Sequence, residues 1–189
     1  VFNGYLSMGG QWHQMRENYL VKFLILGITF YGLQTLQGPM QAIRTFSAFI
    51  HYTDWVPAHI HMGTMGWVSM ISFASIYFML PRIWNREVYS IPLANLQFWL
   101  VLIGQLIWSI SLWVAGVLQA GMWNAMNSDG SLTYTFIETM VEMYPYWWAR
   151  AFGGIIYMIG LIIFIYNIYM TVKNGKPTAA AIATAEGRA

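Results

Sequence analysis

The stretch HYTDWVPAHIHMGTMGW, residues 51–67, decides both the fold and the chemistry expected of this chain. It holds three of the four histidines, His51, His59 and His61, and it opens a long apolar run. Pro57 favours the first turn of a helix, because a missing N–H costs nothing there. His59 and His61 are then two residues apart on one helix, a rotation of about 200°. We therefore expect the two imidazoles to point to nearly opposite sides, where they cannot share one metal ion but can each hold a separate large cofactor.

A histidine on an apolar helix is often only an interior residue that hydrogen-bonds within the protein. Two histidines on opposite faces of one membrane-depth helix need two sets of partners, since an unpaired polar nitrogen there destabilises the fold. Ligation of two cofactors is therefore the favoured interpretation of the pair. Histidine is a common axial ligand of haem iron, which makes haem the first candidate.

The composition is that of a membrane protein with several spans. The chain is 58% hydrophobic and only 8% charged, whereas soluble domains carry about 25% charged residues. The net charge of +2 is small and scattered, which argues against nucleic-acid binding. The absence of cysteine excludes disulfides, thiolate metal sites and iron–sulfur clusters held by this chain.

Four apolar stretches each have the length of a membrane span, near 20 residues or more. They cover approximately residues 19–43, 57–80, 94–121 and 149–171. We predict an all-α, polytopic membrane helix bundle over 19–171, preceded by a loop and short surface helix over 1–18 and followed by a fraying tail over 172–189. The first residue is Val1, which predicts that the chain is the C-terminal part of a longer polypeptide.

The distribution of Lys and Arg predicts the orientation in the membrane. One side would hold Arg44 and Arg150, and the other would hold Arg16, Lys22, Arg82, Arg86, Lys173, Lys176 and Arg188. This places the N-terminal segment, the loop 81–93 and the tail in the cytoplasm, and the segments 44–56 and 124–148 in the periplasm. The histidine pair then lies just under the outer face.

The residues around the pair resemble those of a known family. An H-x-H pair near the outer end of a membrane helix, preceded eight residues earlier by His51, resembles helix ten of the haem–copper oxidases. Residues 51–55, with 38–40 before them and 132–136 after them, are most similar to the catalytic subunit of cbb3-type cytochrome c oxidases, and the resemblance covers essentially all 189 residues. It implies that the four helices form the C-terminal third of a twelve-helix haem–copper oxidase fold. Gln37 departs from the family, in which many members carry an acid, so we expect no charge-based role there.

The resemblance also implies roles for individual residues. His59 would be the axial ligand of the high-spin, oxygen-reducing haem b, and therefore the catalytic residue of this chain. His61 would be an axial ligand of the low-spin haem b. His51, Arg150 and Asp54 would belong to the propionate region, near a helix N-terminus that itself favours anions. The alternative for Arg150 is snorkelling to the membrane interface.

The sequence offers two further candidate sites for a metal ion. A divalent cation near the propionates is one, and Glu138 and Glu142 could bind a cation on the outer link, although contact with water is the favoured interpretation. The copper of such an oxidase needs three histidines, and only His13 remains, at the wrong depth. Copper and its ligands should therefore lie outside this chain, which alone should not reduce oxygen.

The implied function is that of a terminal respiratory oxidase in the bacterial cytoplasmic membrane. Electrons from cytochrome c would pass through haem-c-carrying subunits to the low-spin haem and then to the high-spin haem, where O2 is reduced to water, coupled to proton translocation. The partners would be the N-terminal part of the same subunit, those haem-c subunits, cytochrome c, O2 and the lipid bilayer, with no nucleic acid.

Two alternatives stay open. One is a nitric oxide reductase of the same superfamily, with non-haem iron in place of copper. The other is a haem-free membrane transporter or scaffold that uses the histidines as proton relays, although transporters place such groups near the bilayer midplane.

Overall fold

The computed structural model describes residues 1–178, and within them it is helical with no β-strand. The predicted tail beyond 178 lies outside the described residues. In chain order the elements are α1 (Phe2–Leu6), α2 (Gln14–Glu17), α3 (Tyr19–Ala42), α4 (Arg44–Ile50), α5 (Trp55–His61), a π-helical segment (Met62–Val68), α6 (Ser69–Ile83), α7 (Ile91–Trp123) and α8 (Phe136–Asn174).

Within residues 1–178, four long helices are apolar enough to cross a membrane: α3, the continuous helix Trp55–Ile83, α7 and α8. The second of these consists of α5, the π-helical segment and α6, and we call it the histidine helix. The prediction of an all-α membrane bundle with four spanning helices is confirmed, and the chain is an integral membrane protein.

The largest difference from the expected spans is at α8, which begins at Phe136 rather than near 149. Its start is fixed by a capping box, in which the Thr135 hydroxyl accepts a hydrogen bond from Glu138 N at 3.2 Å and the Glu138 carboxylate accepts one from Thr135 N at 2.7 Å. The segment 124–148, predicted as a polar link, is therefore helical in its second half. Apolar run length misses these turns, because Glu138, Glu142 and Pro145 interrupt the apolar residues.

The segment 44–56, predicted as a link between two spans, also contains helical structure. It contains α4, a turn at residues 51–54 and the first residues of the histidine helix. At the other end of the bundle, α6 continues to Ile83, and the short loop after it lies beside the end of α8. Arg86 Nη1 donates to the Gly175 carbonyl at 2.7 Å, so the loop and the start of the tail share one end of the molecule.

Helices α7 and α8 form the most extensive helix pair, and glycines let their backbones touch. A Cβ added at Gly104 would lie 2.7 Å from the Gly153 carbonyl oxygen, and one at Gly153 would lie 2.8 Å from the Gly104 carbonyl oxygen. Small residues that allow this approach are typical of helix contacts in membranes, where packing replaces the hydrophobic effect.

The histidine helix lies between α3 and α7. On the α3 side, Gly63 faces Gln34, and a Cβ at Gly66 would lie 3.0 Å from the Phe30 ring. The two glycines therefore serve helix packing. On the α7 side, Gly116 leaves space that the backbone of Trp55 occupies. Aromatic residues fill the core further along this helix, away from the histidines; they include Phe23, Phe73, Tyr77, Phe98 and Phe164.

Candidate functional site

The imidazole of His59 faces α3. Its Nδ1 lies 3.2 Å from Oε1 of Gln37, which can only accept, so Nδ1 carries the hydrogen. The ring of Trp55, one turn earlier, is almost parallel to it, with a centroid distance of 6.2 Å and an interplanar angle of 7°. The sequence predicted no charge-based role for Gln37. In the structure its neutral side chain accepts the hydrogen bond that orients His59.

The imidazole of His61 faces α7 instead. Its Nδ1 donates to the carbonyl oxygen of Pro57 at 2.7 Å, one turn back on the same helix. Its ring centroid is 5.1 Å from that of Trp108. Gln105 Nε2 donates to the main-chain oxygen of His61 at 3.1 Å. The two histidines therefore contact different helices, as their spacing predicts.

Both imidazoles have the donor arrangement of a metal ligand. In each ring Nδ1 is bound to an oxygen acceptor, which leaves the lone pair on Nε2. No hydrogen bond to either Nε2 is present within residues 1–178. Histidines that bind metals typically donate their other ring nitrogen to a carbonyl or carboxylate, which fixes the tautomer and the ring direction. Both imidazoles would therefore fit as ligands of a metal through Nε2.

An apolar cavity of about 710 Å³ lies on the His61 side of the helix. Met65, one turn after His61, and Trp108 line it together with residues of α8, including Gly154, Tyr157 and Met158. Its volume is in the range of small-molecule and cofactor sites, and its lining is apolar. Tyr157 also lines the cavity, and its hydroxyl donates to the Met65 carbonyl at 3.3 Å.

Arg150 lies on the same side as His61. Its guanidinium carbon is 5.7 Å from the centroid of the Trp108 ring, which also contacts His61. The side chain is half-buried, and among residues 1–178 it has no hydrogen-bond acceptor and no ion pair. A guanidinium in this state can hold a carboxylate by two parallel hydrogen bonds.

His51 lies apart from the other site residues. It is exposed, and its ring stacks on Tyr52 with a centroid distance of 4.0 Å. Within the described part of the chain, no hydrogen bond or ring contact joins it to His59, His61 or Arg150.

Asp54 forms hydrogen bonds with side chains of α7 and α8, and the sequence did not predict these contacts. Its Oδ2 accepts hydrogen bonds from Nε2 of Gln119 on α7 at 3.1 Å and from Nε1 of Trp147 on α8 at 2.6 Å. Its backbone N–H donates to Oε1 of Gln119 at 2.6 Å. A glutamine within an apolar span is the signal that could have identified this contact, since its amide must find partners there.

The two acids that could bind a cation are in a different setting. Glu138 and Glu142 are exposed, and one oxygen of Glu138 is occupied by the backbone and hydroxyl of Thr135. No cluster of three or more His, Cys, Asp or Glu side chains suited to a metal ion occurs in residues 1–178.

Comparisons with known proteins identify the family of the chain. The family model described as Cytochrome C and Quinol oxidase polypeptide I matches residues 1–156. The cbb3-type cytochrome c oxidase subunit CcoN1 of Stutzerimonas stutzeri is 41% identical over 178 residues, which are 94% of this chain and 38% of that protein. A nitric oxide reductase subunit of the same organism is 26% identical over 136 residues, 69% of this chain and 28% of that protein.

A solved structure, the cryo-EM structure of a haem–copper terminal oxidase dimer, matches with a TM-score of 0.66 at 24% identity, over 84% of this chain and 27% of that chain. At that identity it shows the fold alone. The chain spans about a third of the length of the curated relatives it matches, and it corresponds to the C-terminal part of the subunit. It belongs to the Cytochrome C and Quinol oxidase polypeptide I family, the haem–copper oxidases, with cbb3-type subunits among its relatives.

Proposed function

We propose that this chain is part of the catalytic subunit of a cbb3-type terminal oxidase, which binds a low-spin and a high-spin haem b and passes electrons from cytochrome c to O2, coupled to proton translocation. The observation that carries the proposal is the histidine pair, because each imidazole faces a different helix with its Nε2 free of hydrogen bonds within residues 1–178. The identity of 41% to the cbb3-type subunit, against 26% to the nitric oxide reductase, favours the oxidase.

Each histidine would hold one haem iron through Nε2. His61 would bind the low-spin haem b and His59 the high-spin haem b. When bound, the haems supply one-electron transfer and, together with copper held by residues outside this chain, the reduction of O2 to water. The chain contributes the direction and basicity of each ring, through the Pro57 carbonyl for His61 and the Gln37 amide oxygen for His59.

The outer end of the bundle would receive the haem propionates. Arg150 is the strongest candidate, because its guanidinium has no acceptor in residues 1–178 and lies beside the Trp108 ring that contacts His61. His51 and Asp54 belong to the same end, ahead of the first turn of the histidine helix. A divalent cation near the propionates is part of the proposal.

The proposed orientation is supported by the distribution of charges and by which segments meet. The loop 81–93 and the tail, proposed to be cytoplasmic, adjoin through Arg86 and Gly175. The segments 44–56 and 124–148, proposed to be periplasmic, adjoin the opposite end through Asp54 and Trp147. The membrane would be the bacterial cytoplasmic membrane.

The proposed partners are the N-terminal part of the same subunit, haem-c-carrying subunits and cytochrome c. The first would cover apolar side chains that α3 leaves exposed, among them Leu24, Leu33 and Leu36. It would also supply the copper ligands, so that the chain alone is inactive.

The test is a haem and metal analysis of the complex purified from membranes together with this chain. We expect two b-type haems and one copper for each copy. Iron in excess of the haem, without copper, would support the nitric oxide reductase instead. A complex without b-type haem bands would contradict both and favour the transporter or scaffold.

A further inference from the structure

The residue before α5 joins three helices at the outer end of the bundle. Asp54 Oδ2 accepts from Gln119 of α7 at 3.1 Å and from Trp147 of α8 at 2.6 Å, while its N–H donates to Gln119 at 2.6 Å. The Gln119 amide thus uses both its donor and its acceptor on one residue. With only 3% of its surface exposed, Gln119 is fixed in that geometry.

The backbone packs against α7 at the same point. A Cβ at Gly116, one turn before Gln119, would overlap the backbone of Trp55, so the first turn of the histidine helix lies directly on α7. Because Asp54 is tied to α8 as well, this turn cannot slide or rotate without breaking hydrogen bonds to two helices.

The turn that precedes it is in an unfavourable conformation. Tyr52 has a φ of +66°, a left-handed conformation that is rare for a bulky residue, and 84% of its surface is exposed, so burial does not stabilise it. The two residues that follow Tyr52, Thr53 and Asp54, stabilise the turn by hydrogen bonds. Thr53 Oγ1 donates to the Ile50 carbonyl at 2.6 Å, and Asp54 makes the contacts described above.

We propose that Asp54 is a positioning residue: with Gln119 and Trp147 it fixes the first turn of the histidine helix against α7 and α8, and so sets the positions of His59 and His61. Asp54 Oδ2 accepts from side chains of two helices, so we infer that Asp54 acts through those helices rather than as a direct partner of a propionate. The haem readouts below rest on the proposed function, whereas the distance readout does not.

Two substitutions of Asp54 distinguish the effect of its hydrogen bonds from the effect of its charge. In Asp54→Asn the amide oxygen can accept from both Gln119 and Trp147, while the negative charge is lost. Positioning predicts that the low-spin electron paramagnetic resonance (EPR) signal stays as in the wild type, even where the lost charge raises the haem potentials. A role through charge alone predicts that Asp54→Asn and Asp54→Ala raise the haem potentials equally and that neither changes the EPR signal. Asp54→Ala, which removes the acceptor, should broaden and shift the low-spin signal and lower the haem content per chain.

The partner residues provide matched variants. Trp147→Phe should shift the low-spin signal in the same direction as Asp54→Ala but less. Trp148→Phe, at a neighbouring side chain that is 75% exposed, should leave it unchanged. Gln119→Glu should reproduce the Asp54→Ala signal, because two carboxylates would meet. Adding Asp54→Asn should relieve this, since the introduced amide can donate to the new carboxylate.

A distance measurement tests the same proposal without haem. This chain has no cysteine, so Tyr52→Cys and Ile137→Cys, both at exposed positions, would place a pair of spin labels on the turn and on α8 in the complex. The distance distribution should broaden with Asp54→Ala and not with Asp54→Asn. Unchanged distances and an unchanged low-spin signal in Asp54→Ala would overturn the proposal, as would an Asp54→Asn variant that behaves like Asp54→Ala. Absence of haem from the wild type would instead contradict the proposed function, and the distances would still decide the role of Asp54.

Discussion

His59 and His61 are two residues apart on one helix, yet their rings are held in different ways. His61 donates to the main-chain carbonyl of Pro57 on its own helix at 2.7 Å. His59 donates to the side chain of Gln37 on α3 at 3.2 Å. No side-chain substitution can remove the first acceptor, whereas the second depends on one residue of another helix. The direction of the His61 ring is therefore fixed by local backbone geometry, whereas that of the His59 ring can be adjusted by a residue of α3.

The largest effects should come from removing each ring. In the assembled complex, His61→Ala should abolish the low-spin haem signal and electron entry. His59→Ala should disturb carbon monoxide binding and leave the low-spin bands largely in place. Absorption spectra of the reduced proteins, with and without carbon monoxide, measure both. If the two variants lost the same haem and kept the other, the assignment of one haem to each face would be wrong.

Gln37→Glu tests how far the His59 side can be adjusted. A carboxylate would accept a stronger hydrogen bond from Nδ1 and give the ring more anionic character, which stabilises oxidised iron. The midpoint potential of the high-spin haem should fall by on the order of 100 mV, from a unit charge a few ångströms beyond the ring. A redox titration that resolves both haems is the measurement. Gln37→Leu is the uncharged control, and an equal fall in the low-spin potential would contradict the separation of the two sides.

Arg150 is the corresponding test on the His61 side. A nearby cation favours the added electron, so Arg150→Gln should lower the low-spin potential, by on the order of 50 mV for the loss of one partly screened unit charge. Arg150→Lys keeps the positive charge, so the low-spin potential should change little. It loses the pair of parallel hydrogen bonds, so the haem should be held less firmly. If Arg150→Gln changed neither potential, Arg150 would be only an interface anchor.

The smallest effect is expected at Pro57. Pro57→Ala keeps the carbonyl oxygen that accepts from His61 and restores an N–H at a position in the first helical turn. Both haem potentials should stay within the error of the titration. A clear shift in the low-spin potential would show that the proline ring itself, and not the backbone carbonyl, orients His61.

The sequence predicted the parts of this arrangement that depend on local geometry. The length of the apolar runs and the composition were sufficient to predict an all-α bundle with four spans. The spacing of two residues was sufficient to predict that His59 and His61 face different helices. The early start of α8 could also have been predicted from the sequence, because Thr135 and Glu138 have the spacing of a capping box. It was missed because apolar run length alone set the boundary.

Other features depend on how distant helices meet, and one sequence does not contain that information. The contacts of Gln37 with His59, of Trp108 with His61 and of Trp147 with Asp54 are separated by 22 to 93 residues and follow from the rotation of each helix in the bundle. The π-helical segment Met62–Val68, directly after the histidines, has no residue pattern that distinguishes it from α-helix. Such segments are frequent at functional sites, and this one follows the histidine pair.

We propose that one helix holds two different haems on its two faces. The carbon monoxide difference spectrum of the reduced wild-type complex, combined with a count of b-type haem per copy of this chain, tests this proposal. We expect two haems, of which carbon monoxide perturbs only one. Perturbation of both haems, or a single haem per chain, would contradict it.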